Sequence, residues 1–107
     1  MKELLKLPEP PTAVFAVSDR AALGALEAIK EAGLRVPEDI ALIGFDDQTN
    51  AEFATPPLTS VHYPREEMGL IAFEMLMAQM EGEPAIPVRS LIPCELVVRA
   101  STQGNKK

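Results

Sequence analysis

Residues Ala13 to Asp47, AVFAVSDRAALGALEAIKEAGLRVPEDIALIGFDD, leave a chain of this size few choices of fold. Two short apolar runs, Ala13–Val17 and Ile40–Phe45, bracket a segment with helical period. In that segment Ala21, Ala22, Ala25, Leu26 and Ile29 fall on one stripe, while Arg20, Glu27, Lys30 and Glu31 fall elsewhere. Neither run alternates polar with apolar residues, which predicts strands covered on both faces and therefore a parallel sheet. Gly33 supplies the left-handed stop of the helix. A parallel pair joined through a helix crosses over right-handed, which brings the strand ends Ser18-Asp19 and Asp46-Asp47 to one edge of the sheet. Ligands of open α/β sheets bind at that edge.

The 107 residues, 47% of them apolar, suffice for one domain with a real core but hardly for two. A net charge of -6, with basic residues dispersed apart from Lys106-Lys107, predicts that the chain by itself repels nucleic acid. No apolar run approaches a membrane span, and Met1-Lys2-Glu3 leads into no signal-peptide core, so a soluble, cytoplasmic protein is expected. Cys94 is the single cysteine, which rules out an internal disulfide and any cysteine-based metal site.

Residues 1–12 read as the end of a helix, Glu3 to Leu7, stopped by Pro8, Pro10 and Pro11, as though the chain began partway through a longer protein. At the first strand end, Ser18 or Asp19 can cap the following helix. Two readings stand side by side: both residues serve only the cap, or one caps while the other points into the crevice. After Gly44-Phe45, Asp46 and Asp47 face opposite ways on an extended segment, so one of them is expected to face the crevice. Gln48–Phe53 reads as a short helix or turn, and Leu58–Tyr63 as a third strand closed by Pro64. His62 lacks a partnering Ser, Cys or second His and is read as a surface or core-edge residue. Tyr63 suits a pocket wall or plain packing.

From Met68 to Met80 only Gly69, Glu74 and Gln79 interrupt an apolar helix, with Glu67, Glu74 and Glu81 forming a narrow polar stripe. Such a helix wants burial on most of its surface. Gly82-Glu83-Pro84 ends it, and Val88–Val98 is an interrupted strand with a bend or an edge position at Pro93. The tail Ser101 to Lys107 is expected to be disordered, with residues 103–107 lying beyond the domain.

Three blocks, PTAVFAVSDRAALGALEAIKEAGLRVPEDIALIGFDD, TPPLTSVHYPREEMG and PCELVVRAST, together resemble the C-terminal end of the lactose-repressor and galactose-repressor family of bacterial transcription regulators. They come in the family's order and spacing. The resemblance implies a truncated, parallel-sheet, three-layer α/β lobe of the periplasmic-binding-protein type I fold, in which two lobes close on a sugar or nucleobase effector. Residues 13–102 then form the C-terminal portion of the effector-binding domain. The hinge-side helix 66–81 belongs to the other lobe or is exchanged with a second copy in a homodimer. DNA is bound only through an N-terminal head that nothing here matches. No membrane, cofactor, metal or catalytic residue is implied.

Carried onto this chain, the family's effector contacts fall on Ser18, Asp19 and Asp46, with Tyr63 and Met68 near the hinge wall. Ser18 departs from the family's common asparagine, and Tyr63 stands where many relatives have glutamine. Independently of the resemblance, an ionised carboxylate accepts two hydroxyl hydrogens, so Asp19 and Asp46 suit vicinal hydroxyls of a sugar. Three alternatives stay open. One is a periplasmic transport protein of the same fold. Another is a magnesium-dependent phosphoryl-transfer enzyme using Asp46 and Asp47, although no strand-end lysine, Gly-rich loop or activated nucleophile accompanies them. The last is an assembly module built on Ala21, Ala22, Ala25 and Gln48–Phe53.

Overall fold

The computed structural model describes residues 1–82 and 89–103. It divides the chain into two units, Met1–His62 with Glu95–Lys107, and Tyr63–Cys94.

In the first unit α1 (Lys2–Leu5) leads to β1 (Ala13–Phe15), α2 (Asp19–Glu31), β2 (Ala41–Ile43), α3 (Thr49–Glu52) and β3 (Ser60–His62). The unit resumes with β4 (Glu95–Val97) and a 3-10 turn at Ala100–Thr102. The strand, helix, strand unit forms as the apolar runs require. β1 and β2 pair in parallel, with Val14 opposite Leu42. A parallel bridge from Ile43 to Thr59 sets β3 beside β2, and β3 pairs antiparallel with β4, Val61 opposite Leu96. Helix α2 starts on a Ser18 cap and stops in a Schellman motif. There Gly33 takes φ 76°, its amide bonds the Lys30 carbonyl at 2.9 Å, and the Leu34 amide bonds the Ile29 carbonyl at 3.1 Å.

The stripe on α2 reaches the core through Ala22 and Leu26, which pack with Leu42, Ala51 and Leu58. Each buried leucine contributes about 2 kcal/mol of transfer free energy. Strand β1 departs from the expectation of two covered faces. Val14 packs against the core while Phe15 on the other face is 66% exposed, because among the described residues only one face meets α2.

The chain end is more ordered than expected. Ser101 is buried, its hydroxyl donating to the Leu42 carbonyl at 2.6 Å and accepting the Thr59 amide at 2.8 Å. Arg99 and Thr59 tie the same corner, since Thr59 Oγ1 accepts the Arg99 amide at 2.7 Å and donates to its carbonyl at 3.0 Å. Ser101 and Thr102 therefore belong to the fold: their hydroxyls satisfy backbone and side-chain groups that the short strands leave over. Residues 104–107 of the expected tail lie outside the described residues, as do Glu83-Pro84 of the expected helix stop and Val88 of the expected last strand.

The second unit carries α4 (Arg65–Met80). It starts one residue before the expected 66, and Glu66 and Glu67 in its first turn suit the positive end of the helix dipole. None of its residues is buried, and Leu70, Phe73 and Met80 are 63%, 60% and 71% exposed.

Candidate functional site

The N-terminus of α2 and the turn after β2 meet at one edge of the first unit, where the Asp19 amide donates to the Phe45 carbonyl at 2.8 Å. Ser18 has extended backbone and caps α2, its Oγ accepting the Ala21 amide at 3.1 Å. That bond uses a lone pair and leaves the hydroxyl hydrogen for another acceptor.

Asp19, expected to grip a polyol, faces inward instead. It is 0% exposed, and its oxygens are taken: Oδ2 accepts the Gln48 amide at 2.7 Å and Oδ1 the Ser60 hydroxyl at 2.6 Å. A carboxylate so enclosed offers no surface to an external solute. Gly44 allows this approach. A Cβ there would collide with Asp19 Oδ1 and stand 3.0 Å from Leu58 Cδ2.

Asp46 and Asp47 both have positive φ, 115° and 53°. Aspartate tolerates this region better than most residues, yet each such residue stores on the order of 1–3 kcal/mol and persists only where its surroundings over-determine it. Here they do. The Asp46 amide donates to the Val61 carbonyl at 3.0 Å and the Asp47 amide to Ser60 Oγ at 2.9 Å. The Asp47 carboxylate is held between Arg99 Nη2 at 2.8 Å and His62 Nδ1 at 3.1 Å. Arg99 also donates through Nη1 to the Leu58 carbonyl at 2.8 Å, so its guanidinium bridges the turn to the segment that leads into β3. Asp46 is half-buried at the same edge.

The first unit thus gathers Ser18, Asp19 and Asp46, with only Asp19 sealed. Tyr63 belongs to the second unit, half-buried, with the Arg65 guanidinium 5.0 Å from its ring centroid in cation–π geometry. Met68 lies on α4. Sequence reasoning missed the partners Ser60, His62 and Arg99. The alternation of Ser60 and His62 on one face of β3 was the only signal for two of them; Arg99, far along the chain, gave none. Because Asp47 is ion-paired, Asp46 and Asp47 do not form an open carboxylate pair. Among the described residues no group of three or more His, Cys, Asp or Glu gathers to hold a metal.

A parallel pair crossed by a helix, with polar groups collected beyond the strand ends, defines an α/β lobe of the ligand-binding kind. The chain belongs to the periplasmic binding protein-like domain family, whose model matches residues 1–102. The HTH-type transcriptional repressor CytR of Escherichia coli K12 is 48% identical over 97% of this chain and 30% of its own length. A solved complex of the transcriptional regulator CelR with cellobiose is 47% identical over 84% of this chain and 28% of that one, with a TM-score of 0.77. The lac repressor dimer bound to operator and the anti-inducer ONPF is 35% identical over 94% of this chain and 35% of that one, with a TM-score of 0.83. These relatives are regulators of the lactose-repressor type, in line with the resemblance carried by the sequence blocks. The chain spans about 30% of the length of the curated relatives it matches.

Proposed function

We propose that the chain is the effector-sensing part of a bacterial transcription regulator, with Asp46 and Ser18 as ligand groups at the sheet edge and a sugar as the effector. One observation carries the site. The half-buried Asp46 lies at the same strand-end edge as Ser18, on a turn whose positive φ is held by bonds from neighbouring elements. Asp46 accepts two sugar hydroxyls, and the unused hydrogen of Ser18 serves a third oxygen. The cellobiose complex of a relative supports the sugar class. Regulators among the relatives favour this reading over a transport protein, and the occupied Asp47 speaks against the magnesium enzyme. Tyr63 is retained as a proposed contact on the second unit.

In the complete regulator, effector binding biases domain closure and so changes the spacing of DNA-binding heads in a dimer. Asp46→Ala in the full-length regulator is expected to abolish the effector response in a reporter assay while operator binding by gel shift stays intact. An unaltered response would remove Asp46 from the site.

A further inference from the structure

The shape of the turn that carries Asp46 is set from behind it. We infer that Asp19 and Ser60 are positioning residues for the effector edge: one continuous hydrogen-bonded relay fixes the Asp46–Asp47 backbone at positive φ before any ligand arrives, and so aims Asp46. This rests on the reading of Asp46 as a ligand group.

The relay has one possible direction. Ser60 Oγ accepts the Asp47 amide at 2.9 Å, so its single hydrogen goes to Asp19 Oδ1 at 2.6 Å. The other Asp19 oxygen takes the Gln48 amide at 2.7 Å. Consecutive amides of the turn are thereby both anchored on one carboxylate, directly or through one hydroxyl. Asp19 and Ser60 are each 0% exposed, so water does not stand in for either. The anchor itself is fixed from two sides. The Asp19 amide bonds the Phe45 carbonyl at 2.8 Å, and the bare Gly44 leaves the space its carboxylate fills. Aspartate tolerates positive φ better than most residues, and bonds from α2 and β3 hold two aspartates in succession there. A ligand meeting an acceptor already aimed loses no affinity to ordering the turn.

The test is NMR on the 107-residue chain without ligand. It measures the three-bond amide-to-Hα couplings of Asp46 and Asp47, and amide exchange at Asp47 and Gln48, in the wild type, Ser60→Ala, Ser60→Thr and Asp19→Asn. Ser60→Ala is expected to speed exchange at Asp47 and Gln48 about tenfold and to move both couplings towards values averaged over negative φ. Exchange at Leu26 and Ile29 should not change. Ser60→Thr keeps the hydroxyl and is expected to restore the wild-type pattern, with Asp19→Asn falling between. Unchanged couplings in Ser60→Ala would overturn the inference. So would a threonine that behaves like alanine, or a loss spread evenly over α2 and the turn. If Ser60→Ala does not fold, Asp19→Asn is judged by the same criteria. The role of Asp46 fails separately, if cellobiose, sucrose and glucose all leave its wild-type amide resonance unmoved; the couplings would then still decide the positioning claim.

Discussion

At Gly44 a single hydrogen atom decides whether the candidate site exists. Gly44→Ala drives a methyl group into the Asp19 carboxylate and against Leu58, and is expected to cost about 1–3 kcal/mol of stability by denaturant unfolding. Arg99→Met leaves Asp47 with His62 alone and the Leu58 carbonyl without its side-chain donor. Its expected cost is about 2 kcal/mol in the same measurement, typical of a hydrogen bond to a charged group. The sequence showed where the carboxylates would collect, since Asp19 and Asp46 follow apolar runs that had to be neighbouring strands. Which of them was buried was not legible. That depends on Ser60 and Arg99, residues joined to the turn only by tertiary contact.

Among the elements, α2 was the most readable, because its stripe, its serine cap and its glycine stop all point to one helix. Its neighbour β1 was less so: an apolar run specifies a strand, while the number of covered faces depends on what packs there. The loop after α2 carries its own ion pair. Arg35 donates to Asp39 from its amide at 2.8 Å and from Nε at 3.2 Å. The Arg35 side-chain hydrogen bond, followed by its amide, holds the Asp39 carboxyl below its ordinary value. With the folded value depressed, the stabilisation is present above the unfolded value and fades as pH falls through the folded one. Arg35→Gln is therefore expected to move the Asp39 carboxyl ¹³C titration to higher pH, and to flatten the loss of stability in that acid window. The pair is exposed, so any effect at neutral pH should be small.

On the scale of the molecule, α4 presents exposed apolar side chains at Leu70, Phe73 and Met80. Its apolar composition was plain in the sequence, and none of its residues is buried. Exposed apolar area of this kind favours association. Light scattering is expected to show a mass rising with concentration towards that of a pair, and Leu70→Lys with Phe73→Lys should return it to a monomer. The isolated chain supplies only part of the proposed pocket, so calorimetry with cellobiose should give an affinity no better than about millimolar, worth roughly 4 kcal/mol. No helix among the described residues is long and apolar enough to cross a membrane. The close fit of Asp19 against Gly44 also bears on engineering. Anyone retuning this protein towards a new ligand can vary codon 18 among helix-capping residues and codon 46 among residues that tolerate positive φ, but a library that also varies 19, 44 or 60 will discard most of its members as misfolded before specificity is ever screened.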